Sequence, residues 1–151
     1  MADNHCNCTV RIKRLHDRAR MPEYAHLGDS GADLFAAESV TLQPMERRAV
    51  GTGLAAEVPR GVELQVRPKS GLALKSGLTV LNTPGTIDYG YRGEIRVILV
   101  NLSQAPYRVE EGQKIAQLVA APVFYARFQE TDVLSETSRG EGGFGSTGLN
   151  K

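Results

Sequence analysis

Arg48-Ala49-Val50-Gly51-Thr52-Gly53-Leu54-Ala55-Ala56-Glu57-Val58, then Pro59-Arg60-Gly61, then Val62-Glu63-Leu64-Gln65-Val66, reads as two extended runs joined by a turn. Proline and glycine stop the first run where the second must begin, and no long helical pattern competes. The same punctuation continues in both directions. Strand-like runs lie at 10–15, 32–37, 40–42, 78–81, 94–100, 107–109 and 115–124, and Pro44, Pro84-Gly85 and Glu111-Gly112 mark turns between them. In the first run Val10, Ile12 and Leu15 interleave with Arg11, Lys13 and Arg14, which predicts an apolar inner face and a basic, solvated outer one. Spacings of this kind predict an all-β sandwich or barrel. Only residues 70–75 look helical, with Ser70 placed to cap the turn ahead of Leu72, Ala73 and Leu74.

The chain has 151 residues, 41% of them hydrophobic, which suits one domain with its own core. Eighteen basic residues face 17 acidic ones, so composition gives no general affinity for nucleic acid or membranes, and any phosphate site must be local. No apolar run approaches a membrane span, and Met1-Ala2-Asp3-Asn4-His5 lacks the layout of a signal peptide, so a cytoplasmic protein is expected. Cys6 and Cys8 are too close for an unstrained disulfide. With His5 they provide too few ligands for a metal site. The core is expected to end near Phe128, giving a domain over 1–128 and a C-terminal arm over 129–151.

Several segments carry chemistry. In Arg67-Pro68-Lys69-Ser70-Gly71-Leu72-Ala73 a strand passes through proline into a helix start, an arrangement that favours an anion: Lys69 adds charge, Ser70 a hydroxyl, and Gly71 lets a ligand approach the backbone. Between two strands, Asn82-Thr83-Pro84-Gly85-Thr86-Ile87-Asp88-Tyr89-Gly90-Tyr91 holds one carboxylate, Asp88, able either to take a proton from water or to close an Asx turn. Tyr91, beside Gly90 and Gly93, suits a pocket wall, and the backbone there, with Asn82, can read the edge of a base. Asp33 interrupts the apolar run Gly31-Ala32-Asp33-Leu34-Phe35, so it needs a partner: a hydrated metal ion or a cationic side chain. Gln117, between Ala116 and Leu118, needs one too. Finally, Arg139-Gly140-Glu141-Gly142-Gly143-Phe144-Gly145-Ser146-Thr147-Gly148 contains five glycines, an arginine fork, an aromatic face and two hydroxyls, which suits either a frayed tail or a lid over a nucleotide.

Taken in order, Gly31-Ala32-Asp33-Leu34, Pro68 to Ala73, Gly85 to Asp88 with Tyr91-Arg92-Gly93-Glu94, Ile115-Ala116-Gln117-Leu118, and Arg139 to Gly148 resemble the five motifs of the trimeric dUTPases. The resemblance spans residues 31–148. It implies a jelly-roll-like β fold, a homotrimer, a Mg2+ cofactor, and hydrolysis of dUTP to dUMP and diphosphate, which lowers dUTP and supplies dUMP for thymidylate synthesis. It also implies roles. Asp88 activates the water that attacks the α-phosphate, and Tyr91 packs on deoxyribose. Asn82, with the backbone at Gly85, Thr86, Ile87 and Arg96, reads uracil. Lys69, Ser70, Gly71 and Gln117 hold phosphates, and Asp33 touches Mg2+ through water. Arg139 grips the terminal phosphate, Phe144 stacks on uracil, and Gly145, Ser146 and Thr147 wrap the phosphate chain in a neighbouring subunit's site. Lys69 and Lys114 stand where the family commonly carries arginine; lysine keeps the charge without the bidentate fork. Two alternatives remain at this stage: a dCTP deaminase-like or bifunctional enzyme on the same fold, and a non-catalytic β-sandwich binding or assembly module.

Overall fold

A computed structural model describes residues 8–143. Among these residues ten strands pair into three antiparallel sheets, and there is one helix. The first sheet has the order β1 (Arg11–Arg14), β4 (Arg47–Glu57), β8 (Glu94–Asn101) and β6 (Leu78–Val80). The second has the order β2 (Ala32–Phe35), β10 (Lys114–Pro122), β5 (Val62–Arg67) and β7 (Gly85–Ile87), while β3 (Val40–Leu42) pairs with β9 (Tyr107–Val109). The expected all-β sandwich therefore holds.

Side-chain alternation explains the layering. Along β8, Ile95, Val97 and Leu99 are fully buried while Arg96 between them faces solvent. Leu34, Leu42, Val50, Leu54, Val58, Leu78 and Ile115 join them in one core. Each such aliphatic side chain contributes about 1.5–3 kcal/mol when withdrawn from water. The β4–β8 register shifts between Gly51 and Ala55, where Gly53 takes φ 66°. A bulge of this kind bends the strand. Here Glu38 accepts from the Gly51 N–H at 2.7 Å and Glu94 from the Gly53 N–H at 2.8 Å, so the disturbed backbone keeps its partners.

Four local expectations change. Gly85–Ile87 is a strand rather than part of a turn-rich loop, because Gly85, Thr86 and Ile87 pair with Val66, Gln65 and Leu64. The helix α1 (Ser70–Ser76) starts one residue earlier than the capping pattern implied: Lys69 occupies the cap position in an extended conformation, no side chain caps the helix, and Ser70 is its first residue. Leu15 is exposed, leaving Val10 and Ile12 to pack on the core from the first strand. The buried core ends at Leu118, and Phe124 and Phe128 are 92% and 94% exposed. Phe128 therefore closes no core in a single chain.

Candidate active site

Strand register places the first cluster. On β10, Gln117 lies opposite Asp33 of β2 on one side and Arg67 of β5 on the other. Two residues beyond Arg67 comes Lys69, so Asp33, Gln117 and Lys69 converge beside the end of β5. Together with Ala25, Asp29, Ser30 and Gly31 they line a cleft of about 280 Å³. Gly31 lets the Gln117 amide lie against the backbone, since a Cβ at that position would push the amide oxygen aside.

Asp33 is only 4% exposed, and it is paired twice. Lys69 Nζ donates to Oδ1, and Lys114 Nζ donates to Oδ2 at 2.7 Å. Burial pushes the carboxyl pKa up, but the bonds from Lys114 and Lys69 outweigh it and hold Asp33 below the usual carboxylate value. The bond to Asp33 in turn holds the Lys114 ammonium above its usual value. Two ammonium groups on one carboxylate leave that triad at +1, and Asp29, which also lines the cleft, brings the four groups to zero, so Lys69 is the cation the cleft offers an incoming anion. Next to them, α1 opens with Ser70 and Gly71, carries no acidic residue in its first turn, and leaves open space above Gly71.

The second cluster surrounds β7. This strand lies at the margin of its sheet with β5 on one side only, so the backbone groups along its other edge have no strand partner. Unpaired N–H and C=O groups at a fixed spacing are what a planar base edge needs. Asn82 packs against Gly85, with Nδ2 3.2 Å from where a Cβ would sit. After Ile87 the chain turns, with the Tyr91 N–H donating to the Asp88 carbonyl at 3.1 Å. Among the described residues no hydrogen bond engages the exposed Asp88 carboxylate. Tyr91 donates its hydroxyl to the Glu94 carbonyl at 2.9 Å, and its ring lies over Gly93, where a side chain would strike it. Arg96 donates from Nη2 to the Ala49 carbonyl at 2.8 Å, which fixes the start of β8 behind the turn.

One chain does not unite the two clusters. Gly85 lies opposite Val66 near Lys69, whereas Asp88 follows the far end of β7, about 10 Å along the strand. Asp88, Tyr91 and Asn82 do not line the Lys69 cleft. Arg139 does not line that cleft either and lies in an exposed turn where its Nε donates to the Gly142 carbonyl at 2.9 Å. Phe144, Gly145, Ser146 and Thr147 lie outside the described residues, as does Cys6. An apolar groove lined by Val10, Ile12, Met21, Leu64 and Leu118 has no charged group to handle a phosphate.

A metal can be tested against this donor set. No three His, Cys, Asp or Glu side chains among the described residues are grouped to hold an ion. Both Asp33 oxygens already accept from ammonium groups, although each keeps a second lone pair for a water. The set therefore fits Mg2+ through a water and alongside a polyphosphate, and does not form a preformed cage.

Lys114 joins this cluster through Asp33 without lining the cleft, and the sequence marked it only as a lysine where the family commonly carries arginine. The need of Asp33 for a partner was readable, but the two-lysine answer depends on the β2–β10 register, which sets Lys114 against Phe35 and Gln117 against Asp33.

Comparison with known proteins gives a consistent result. The dUTPase family model matches residues 17–148. Deoxyuridine 5'-triphosphate nucleotidohydrolases of Clostridium novyi and of a Picosynechococcus are 54% and 55% identical to the chain, covering 91% and 92% of it and 97% and 98% of their own lengths. The Staphylococcus bacteriophage 80alpha dUTPase with dUPNHPP superposes at a TM-score of 0.88, with 31% identity, over 95% of this chain and all of that one. A mutant dUTPase from phage phi11 of S. aureus, described for the coordination of a structural Mg(II) ion, superposes at 0.79 with 27% identity over 85% of this chain and all of that one.

Proposed function

The chain belongs to the dUTPase family and hydrolyses dUTP to dUMP, and we propose that the two clusters described above are halves of one active site completed between subunits of a homotrimer. The observation that carries this reading is the separation of Asp88 from the Lys69 cleft within one chain. A base that takes a proton from water has to lie within hydrogen-bond reach of the phosphorus side, so a second copy must bring the halves together. The exposed apolar side chains Phe124, Tyr125, Phe128, Val133 and Leu134 support the same conclusion, because the segment beyond β10 finds no cover on its own chain. It leads to Arg139 and the glycine-rich terminus, which would then reach a neighbour.

In this assembly the open edge of β7 and the Asn82 amide bind the uracil edge, with Gly85, Thr86 and Ile87 contributing backbone groups and Arg96 holding the strand behind them. Tyr91 covers the sugar and leaves no room for a 2′-hydroxyl. Lys69, Ser70, Gly71 and Gln117 take the phosphates. Asp88 orients the attacking water and receives its proton, while Arg139, Phe144, Gly145, Ser146 and Thr147 close over the nucleotide. Asp33 would hold a triphosphate-bound Mg2+ through water, and the ion would supply charge neutralisation on the phosphate oxygens. The described residues contain no helix long and apolar enough to cross a membrane, and a cytoplasmic enzyme is the reading we adopt. The sandwich domain ends with β10 at Pro122, and the uncovered segment after it leads into the arm of 129–151.

Diphosphate release from dUTP, with dCTP, dTTP and UTP as controls, tests the specificity. Turnover of dUTP alone is expected. Release of ammonia from dCTP would instead point to a deaminase, and no turnover of any nucleotide to a non-catalytic module.

A further inference from the structure

Lys114 lies outside the cleft that Lys69 lines, yet both hold the same buried carboxylate. Their surroundings differ. The Lys69 side chain is 25% exposed and opens onto the cleft, while Lys114 is 47% exposed at the start of β10, with its ammonium 6.0 Å from the centre of the Phe35 ring. A carboxylate as buried as Asp33 is strongly disfavoured without a counter-charge at neutral pH. If Lys69 were its sole partner, any phosphate would have to win Lys69 against that penalty.

We propose that Lys114 is a positioning residue that acts through Asp33: it keeps the buried carboxylate paired, so that Lys69 is free to exchange from Asp33 onto the polyphosphate. This inference rests on the reading of Lys69 as a phosphate ligand and extends it to a residue that touches no substrate. Two ammonium groups on one carboxylate make the exchange possible. On nucleotide arrival Lys69 swaps one anionic partner for another, and Lys114 stays in place. Asp33 has the corresponding second role of storing Lys69 in the empty enzyme at the mouth of the cleft.

Binding of the non-hydrolysable α,β-imido analogue of dUTP, measured calorimetrically in EDTA so that the metal plays no part, tests this, with deoxyuridine as the phosphate-free control. Lys114→Gln is expected to weaken analogue binding about tenfold or more and to leave deoxyuridine binding unaltered. Lys114→Arg is expected to bind the analogue like the parent enzyme. In Asp33→Asn/Lys114→Gln the neutral amide needs no counter-charge, so analogue affinity is expected to return. A Lys114 that touched phosphate directly would give no such recovery, and that result would overturn the proposal, as would unimpaired analogue binding by Lys114→Gln or an equal loss for deoxyuridine. Should Lys114→Gln fail to fold, Asp33→Asn alone decides: with both lysines released it is expected to bind the analogue in EDTA at least as tightly as the parent, and weaker binding would refute the exchange. Lys69→Gln separates the two levels. If it leaves analogue binding intact, the phosphate reading itself fails; if it weakens binding while Lys114→Gln does not, only the exchange fails.

Discussion

Asp33 lies within β2 and Asp88 just past β7, two strands of the same sheet, and their surroundings give the two carboxylates opposite work. Asp88 is exposed, and among the described residues its carboxylate is not engaged, so it is available to a water molecule. Replacing it with Asn keeps the shape and removes the base. The kcat for dUTP is expected to fall by about 10²–10⁴, with analogue affinity retained within a few-fold; loss of binding at unchanged kcat would remove Asp88 from the role of base. Asp33 is a charge store, and its pH behaviour follows from its two lysines. Its carboxyl pKa is lower in the folded chain than the ordinary 3.8, so the stability it contributes is complete above that value and is lost as pH falls through the depressed one. Lys114 has a raised pKa, so its contribution is complete below 10.5 and is lost as pH rises through the raised value. Urea midpoints in EDTA are expected to favour the parent over Asp33→Asn at pH 7, and this margin should shrink as the pH is taken down towards 2. A margin that stays constant over that range would show that the pairs carry no net stability. The need for a partner at position 33 was legible in an apolar run broken by one acid. The identity of both partners was not, because it arises from strand register rather than from sequence spacing.

At the scale of elements, legibility followed apolar pattern and failed where backbone pairing alone decides. Val40–Leu42 and Tyr107–Val109 were readable residue for residue. The strand β7 was not, since Gly85-Thr86-Ile87 sits among turn residues and is extended only because β5 offers it a ladder. That pairing also gives the strand its open edge, the feature on which base recognition rests. The helix α1 shows a similar limit. Serine before an apolar turn suggests a cap, but Lys69 is the last extended residue and takes the cap position itself, so Ser70 is already helical and the helix starts one residue earlier. Its other end is fixed by Gly77, at φ 64°, whose N–H donates to the Ala73 carbonyl at 3.2 Å. A Cβ there would come within 3.0 Å of the Ser103 backbone nitrogen. Gly77→Ala is expected to lower stability by about 1–2 kcal/mol in chemical denaturation. It should also raise the KM for dUTP, because Lys69, Ser70 and Gly71 depend on the placement of α1. An unchanged denaturation midpoint would mean that the left-handed conformation is easily relaxed.

The whole molecule raises a different question, which is why a chain with a well-filled core should leave Phe124, Tyr125, Phe128, Val133 and Leu134 in water. Exposed side chains of this size, concentrated in one segment beyond the last strand, are stable in solution when another surface covers them. The sequence showed the arm and its glycine-rich end, but its apolar run up to Phe128 read as the continuation of a core because pattern alone does not reveal which chain supplies the cover. If the arm closes a neighbour's site, two defective enzymes should repair one another. A chain truncated after Ser138 keeps Asp88 and lacks Arg139 and Phe144; the full-length Asp88→Asn variant keeps the arm and lacks the base. Each alone is expected to be inactive while eluting as an assembly of three times the chain mass. Mixed after unfolding and refolded together, they are expected to recover part of the dUTP turnover, since some sites then combine an intact Asp88 with an arm from another subunit. Delivery of the arm within its own chain would leave every site in the mixture lacking one component, and the refolded mixture would be as inactive as its parts.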